Sequence, residues 1–452
     1  MSVSTPKATS AVIVGLGRTG LSCARYLRER GWRLAVTDTR PEPPQLTALR
    51  ELDPQIPVRL GALDVRLLDD ALCVVVSPGV SLEDPFFAEA RRRGLEIVGD
   101  IELFARAVDA PVAGITGTNG KSTVTTLLGR MAARAGVKVR VGGNLGEPAL
   151  DLLRAAHRDG EAVGLYVLEL SSFQLDATHS LDLVAATVLN VSPDHLDRYA
   201  SVAAYADAKA RIFARCDTAV INLDDPLVVA MPKPGQRTLS FSLRATIGAD
   251  YAVAIRAGGS WLTRRGEPLL ALSAMRIRGL HNAANALAAL ALGEALNLPL
   301  PAMLVELEAF TGLPHRTQWV AEVAGVTYID DSKGTNVGAT IAAVEGMEGP
   351  LVIIAGGDGK NQEFAPLAAA FRGKVRHTVL IGRDGRLVGE ALRGACTTEY
   401  RASLEEAVRA AATAARAGDT VLLSPACASL DMFRDYTHRG AVFARAVKEL
   451  AA

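Results

Sequence analysis

One pattern constrains this chain more than any other. A short run of Val, Ile, Leu and Ala, a Gly or Ser turn, and a stretch of helical period recur from end to end of its 452 residues. Continuous apolar strands of this kind belong in parallel sheets covered by helices on both faces, so the chain reads as α/β. Strands are expected at AVIVG (11–15), LAVTD (34–38), CVVVS (73–77), VAGIT (112–116), LYVLEL (165–170), AATVLN (185–190), LVIIAGG (351–357), TVLIG (378–382) and TVLLS (420–424). Ligands in such folds sit beyond the carboxyl ends of the strands, so the residues just after each strand carry the functional reading.

The length fits three domains at about 150 residues each. Three loop signals, at residues 15–20, 117–123 and 356–360, open three comparable blocks. We place the boundaries after GLEIVG, near residue 99, and before TGLPHR, near residue 313, giving blocks 1–99, 100–312 and 313–452. The middle block also holds a less regular stretch, residues 241–278, that reads as extra strands rather than another βα repeat.

Charge and cysteine content exclude several classes. Lys plus Arg and Asp plus Glu both number 49, which leaves no basic excess for nucleic acid or an anionic membrane. The most apolar long segment, residues 283–298, is interrupted by Asn285 and Glu294 and is too short to span a bilayer. The opening MSVSTPKATS has no apolar core of a secretion signal, so the expected location is the cytoplasm. Five scattered cysteines with no CxxC pair argue for reduced thiols rather than disulfides or zinc.

The first loop, GLGRTG, follows a strand and opens a helix, with Asp38 ending the next strand. Its small residues let the backbone approach a diphosphate at a helix amino terminus, and the acid is spaced to reach a ribose hydroxyl. A diphosphate ligand follows from this spacing; nicotinamide does not. The second loop, GTNGKST, comprises Gly117, Thr118, Asn119, Gly120, Lys121, Ser122 and Thr123. It ends in the Gly-Lys-Ser of a nucleoside triphosphate loop, where amides and the lysine cradle phosphates and the serine reaches Mg²⁺. Ile115 stands where the longer pattern wants its first glycine, so the loop is a shorter variant. Two phosphate loops in separate sheets, with no redox feature, suggest that one ligand is activated while another supplies the energy.

Other strand ends add side chains. Glu169, in LELSSFQL, ends a strand near the expected Mg²⁺ and is a natural hard-cation ligand, or else a strand-end acid in solvent. His195, with Asp194 and Asp197 in NVSPDHLDRY, is a metal or acid–base candidate, although Ser192, Pro193 and Asp194 also read as an ordinary helix start. Spacing alone makes Lys209 a solvated lysine on a helix face. In the last block GLPHRTQ, YIDDSKGTN, AGGDGK and SPACASLDMF each join a turn to polar side chains at a strand terminus. There Arg316 and Lys333 are candidates for phosphate or carboxylate, and Lys360 and Ser429 for a small anionic substrate.

These motifs, with HNAANALAA (281–289), occur in the order found in the Mur ligases of peptidoglycan precursor synthesis, and the chain resembles that family over essentially its whole length. The combination in the last block resembles the branch that adds glutamate to UDP-N-acetylmuramoyl-L-alanine. The resemblance implies a Rossmann-like first domain for the UDP moiety, a central P-loop ATPase-type domain, and a Rossmann-like last domain that binds the amino acid. It implies ATP-dependent amide formation through an acyl phosphate, with D-glutamate as acceptor. It further implies Lys121 on the β- and γ-phosphates and two Mg²⁺ ions, one at Ser122 and Glu169, the other at His195 with a carbamylated Lys209. Asn285, Arg316 and Asp331 would meet ATP. Gly17, Arg18, Thr19, Asp38, Thr39, Arg40, Ser77 and Gly79 would meet the UDP group, and Asn144 and Ser171 the substrate near the metal. Lys333, Thr335, Lys360, Ser429, Leu430 and Tyr436 would surround glutamate and the transferred phosphate. Gln318 stands where the family often has Glu, and Tyr436 where Phe is expected. A monomer is the expected state.

Three other readings compete. A folylpolyglutamate-synthase-like ligase shares the GTxGK[ST] loop but lacks the first domain. A nicotinamide oxidoreductase would use GLGRTG and Asp38. A nucleotide-dependent binding switch would bind ATP without acceptor-dependent phosphate release.

Overall fold

The computed structural model describes residues 9–244, 248–256, 259–277, 279–347 and 349–450. The first eight residues, on which the absence of a secretion signal was read, lie outside these. Among the described residues there are three sheets. The first contains β1 (Ser10–Val14), β2 (Arg33–Asp38), β3 (Val58–Leu60), β4 (Cys73–Val76) and β5 (Glu96–Val98), all parallel in the order β3-β2-β1-β4-β5. The order reverses between β1 and β4, which opens a crevice at their carboxyl ends, where GLGRTG and Ser77 lie.

The central sheet contains β6 (Val112–Thr116), β7 (Val139–Gly143), β8 (Leu165–Glu169), β9 (Leu183–Val188), β10 (Cys216–Asn222), β11 (Arg237–Ser242), β12 (Tyr251–Arg256), β13 (Gly259–Arg264) and β14 (Glu267–Ala271). Their order is β14-β13-β12-β11-β10-β9-β6-β8-β7. The strands run parallel up to β12, and β13 and β14 then fold back antiparallel, which are the extra strands expected in the irregular stretch. β6 lies between β8 and β9, so the phosphate loop, Glu169 and the NVSPDH segment leave the sheet side by side.

The last sheet contains β15 (Gln318–Val323), β16 (Val326–Asp330), β17 (Leu351–Gly356), β18 (Val375–Ile381), β19 (Thr397–Tyr400) and β20 (Thr420–Leu423), in the order β15-β16-β20-β17-β18-β19. All its pairings are parallel except the β15–β16 hairpin. That hairpin turns through Ala324 and Gly325, both at positive φ, which is the backbone a tight right-twisted hairpin requires.

The cores show how the blocks are joined. One apolar cluster runs from Ile13, Cys23 and Leu27 of the first block through Ile101 and Phe104 into Leu150, Tyr166 and Leu168 of the second. The two clusters around the last sheet draw only on that block. Among the described residues no helix is long and apolar enough to cross a membrane.

Candidate active site

The phosphate loop follows β6 and opens the helix Lys121–Arg134. Gly117 and Gly120 have φ of 145° and 85°. A Cβ on Gly120 would meet Asn285 Oδ1 at 2.3 Å, so the loop needs glycine both for its backbone and for the close approach of that asparagine. Neighbouring strand ends brace it. Thr118 N donates to Asn190 O at 2.9 Å, and Asn119 N donates to Asn190 Oδ1 at 2.8 Å. Lys121 Nζ folds back on Gly117 O and Thr118 O at 2.8 and 2.9 Å. Asn119, Gly120 and Thr123 line a cavity of about 290 Å³ with Asn285, Arg316, Asp331 and Lys333, so the expected nucleotide residues of two domains converge. Arg316 Nη2 reaches Ser122 Oγ at 2.7 Å across the domain joint.

Beside the loop lies a buried polar cluster. Glu169 Oε1 accepts from Asn144 Nδ2 at 2.8 Å, while Oε2 is buried without a hydrogen-bond partner among the described residues. Burial works to raise the Glu169 pKa, but the Lys121 charge, Ser122, Asn144 and Arg316 outweigh it and hold the carboxyl below its ordinary range. The carboxylate is thus ionised, dry on one oxygen and next to a hydroxyl, a donor set suited to a hard cation that takes its other ligands from phosphate and water. His195 sits at φ 54°, with its ring against Phe173 at 5.0 Å, and burial lowers its pKa, so it presents a neutral imidazole. The helix-start reading of Ser192–Asp194 does not hold. The next helix is Val202–Ala210, capped by Ser201.

Lys209 overturns the solvated-lysine reading. It is 1% exposed, donates to Gly117 O at 3.0 Å and lies 4.3 Å from the Tyr205 ring. Burial first, and then the Lys121 charge, drive its pKa well below the ordinary value. Among the described residues no group of three or more His, Cys, Asp or Glu is arranged to hold a metal. Mg²⁺ would therefore rely on a few side chains together with nucleotide oxygens, and the orphan Glu169 oxygen fits that arrangement.

A second cavity, of about 480 Å³, lies in the first crevice. Gly17, Arg18, Thr19, Asp38, Thr39, Arg40, Ser77 and Gly79 line it, joined by Asn144 from the central domain. One group of this lining is also engaged locally. The Asp38 carboxylate accepts from Leu16 N at 2.7 Å and from Arg40 Nη2 at 2.7 Å, so it braces the loop and orients Arg40. Ser171 also does local work. Its hydroxyl accepts from Gln174 N at 3.2 Å and caps the helix Ser172–Asp176.

The last domain brings Lys333 over the Tyr436 ring at 4.0 Å, and burial beside Arg316 and Lys121 lowers the lysine pKa to about 8. Lys360 Nζ pairs with Asp194 Oδ1 at 2.6 Å, bringing that residue to the His195 turn. Thr335 N bonds Lys333 O at 2.8 Å. Ser429 is buried, while Leu430 is 72% exposed. Asp331 is buried, accepts from Ser424 Oγ at 2.8 Å, and burial raises its pKa to about 7. Gln318 Oε1 accepts from His315 N at 3.0 Å, a role that a glutamate would fill equally well.

Sequence reasoning missed three supports. Asn336, the cap of the helix Val337–Gly346, exchanges side-chain hydrogen bonds with Asn119 at 3.2 and 3.3 Å. Arg439, 1% exposed, ties Ser332 O at 2.7 Å to Cys427 O at 3.2 Å and so joins the loops that follow β16 and β20. Arg198 contacts the first domain. Asn336 and Arg198 lay inside quoted motifs and could have been singled out; a lone arginine in a carboxy-terminal helix gives no signal.

Three family models match in order: "Mur ligase MurD-like, N-terminal domain" over residues 9–99, "Mur ligase middle domain" over 115–293, and "Mur ligase, glutamate ligase domain" over 315–427. Relatives named UDP-N-acetylmuramoylalanine–D-glutamate ligase include one from Nitrosococcus oceani, 52% identical over 98% of this chain and 97% of its own. Another, from Pseudomonas aeruginosa, is 50% identical over 97% of this chain and 98% of its own. The solved UDP-N-acetylmuramate-alanine ligase MurC from Thermotoga maritima shares the fold, with a TM-score of 0.61 at 19% identity, covering 97% of this chain and 99% of its own. With three domain models in register and half-identity along nearly its full length, the chain belongs to the Mur ligase family.

Proposed function

We infer that this chain is an ATP-dependent ligase that joins D-glutamate to the alanine carboxylate of UDP-N-acetylmuramoyl-L-alanine in peptidoglycan precursor synthesis. One geometric observation carries the reading. The first-domain cavity and the phosphate loop meet at Asn144, which lines the former and bonds Glu169 beside the latter. A substrate held by its UDP end in the first crevice can therefore offer its far carboxylate to a γ-phosphate. The identity to D-glutamate ligases supports the choice of acceptor.

The residues divide the work as follows. Gly17, Arg18, Thr19, Asp38, Thr39, Arg40, Ser77 and Gly79 hold the UDP group, with Asp38 also fixing Arg40. Lys121 leaves the loop carbonyls to take the β- and γ-phosphates, aided by Arg316 and the loop amides. Asn285 and Asp331 hold the nucleotide. The alanine carboxylate attacks the γ-phosphorus, ADP leaves, and an acyl phosphate forms. The glutamate amine then attacks the acyl carbon, and the tetrahedral adduct loses phosphate. Lys333, with its lowered pKa, together with Thr335, Lys360, Ser429, Leu430 and Tyr436, receives glutamate and the transferred phosphate. Catalysis of this kind rests on positioning and charge neutralisation. Two Mg²⁺ ions, at Ser122 and Glu169 and at His195 with carbamylated Lys209, would supply much of that neutralisation. The depressed Lys209 pKa supports the carbamate, since the unprotonated amine is the form that adds CO₂. The chain divides near residues 99 and 313 into UDP-binding, ATP-binding and amino-acid-binding domains, each built on one sheet. ATP and a UDP-sugar as substrates support a cytoplasmic site of action.

The test is phosphate release from ATP and Mg²⁺ with UDP-N-acetylmuramoyl-L-alanine and no amino acid, D-Glu or L-Glu. Release that needs both the UDP-sugar and D-Glu is expected. Preference for L-Glu changes the substrate and points to the Tyr436 pocket; no release in any arm defeats the ligase reading.

A further inference from the structure

We propose that Arg198 is a positioning residue that fixes the distance between the UDP pocket and the His195 turn; this rests on the ligase reading above. Its guanidinium donates to Gly79 O at 3.2 Å and Val80 O at 3.0 Å, two backbone carbonyls of the first domain. Both residues line the UDP cavity. The same guanidinium lies 4.5 Å from the centre of the Phe173 ring, and the His195 and Phe173 rings meet edge to face with centres 5.0 Å apart. Arg198 and His195 belong to one tight turn, in which Arg198 N and Tyr199 N both donate to His195 O, at 2.9 and 3.0 Å. Tyr199 stacks on Phe173 and anchors its hydroxyl on Asp176 Oδ2 at 2.8 Å.

One side chain thus binds the rim of the UDP site at its tip and the catalytic turn at its root. The substrate is held at one end in the first crevice and reacts at the other beside the phosphate loop. Attack on the γ-phosphate needs those two points in fixed register, because a displacement of about 1 Å costs about 100-fold in rate. A planar guanidinium is suited to the task, since it stacks on an aromatic face while forking to two carbonyls. A lysine ammonium can do one of these at a time.

The experiment compares Arg198→Met and Arg198→Lys with the parent full-length enzyme. For Arg198→Met, kcat with UDP-N-acetylmuramoyl-L-alanine is expected to fall about 30-fold. The KM for ATP and calorimetric affinity for UDP alone should stay within about threefold, and the Tm within about 3 °C. Arg198→Lys should recover part of the loss by keeping one carbonyl contact. A kcat for Arg198→Met within about threefold of the parent overturns the proposal. So does a fall matched by equal losses in UDP affinity, ATP KM and Tm, which marks a general structural role. A parent enzyme that does not turn over this substrate pair instead removes the ligase reading, before Arg198 is in question.

Discussion

Lys209 shows what spacing can and cannot say about a single residue. In the sequence it is one lysine on a helix, and nothing in the periodicity separates it from Lys448 near the end of the chain. In the fold its ammonium is sealed against Gly117 O and the Tyr205 ring, a site that favours the neutral amine. Resemblance, not pattern, picked it out. Glu169 differs in that a carboxylate ending a buried strand beside a phosphate loop is legible from order alone. Asp38 is legible as a position in the first crevice, but no spacing reveals that Leu16 N and Arg40 bond its oxygens. The prediction at this scale is that Lys209→Ala lowers kcat about 1000-fold, as loss of a preorganised charged ligand does. A short carboxylic acid such as acetate should restore about tenfold of that loss by replacing the oxygens of the proposed carbamate. Steady-state phosphate release with and without acetate checks it. An unrescued variant with parental kcat would take Lys209 out of the proposed metal site.

At the scale of elements, the nine expected strands are all present, because each is a continuous apolar run between turns. The edge strand β15 was not read, since QWVAEV is mostly exposed or half-buried and has no apolar run to mark it. The helix Asp100–Ala105, which begins where the first boundary was placed, is more than a linker. Gly99 N donates to Ala177 O at 3.0 Å, Glu102 Oε2 accepts from His179 N at 2.7 Å and Ser180 N at 2.9 Å, and Asp100 Oδ2 accepts from Gln174 Nε2 at 2.9 Å. Asp100 is almost fully buried, with Oδ1 unpartnered among the described residues, and burial outweighs the Gln174 and backbone donors to raise its pKa from 3.8 to about 6. Between those two values the unfolded chain releases the proton while the folded chain keeps it. The stability linked to this group is therefore fully present below about pH 4 and is lost as pH rises through about 6, by about 3 kcal/mol for two pKa units. Asp100→Asn removes the ionisation but leaves Gln174 a carbonyl. Relative to the parent, its Tm should rise by several degrees between pH 4 and pH 7, at about 2–4 °C per kcal/mol. Parallel Tm profiles for the two proteins over that range would show that Asp100 does not titrate there.

For the whole molecule, the three-domain plan could be read from the order of the loops, but the stiffness of its two joints could not. Stiffness depends on which surfaces meet, and only the folded chain shows it. The first and central domains share one apolar cluster and an ion pair between Arg154 and Glu29. The named contacts of the last domain with the phosphate loop and the His195 turn are polar: Lys360 with Asp194, Asn336 with Asn119, and Arg316 with Ser122. Apolar contact resists water entering the joint, whereas polar groups can exchange their partners for water at little net cost. The last domain is therefore the one expected to swing, and the Lys360–Asp194 pair is the strongest of its ties because it is charged and largely buried. A compact chain of this length has a radius of gyration of about 22 Å. In small-angle scattering without ligands, Lys360→Met should enlarge that radius by about 1–2 Å relative to the parent. An ATP analogue together with the UDP-substrate should draw both proteins to the same compact value, since the proposed ligand contacts at Lys121, Arg316 and Lys333 span the cleft. Identical curves for parent and variant, with and without ligands, would mean that the joint is rigid and that the polar contacts are not a latch.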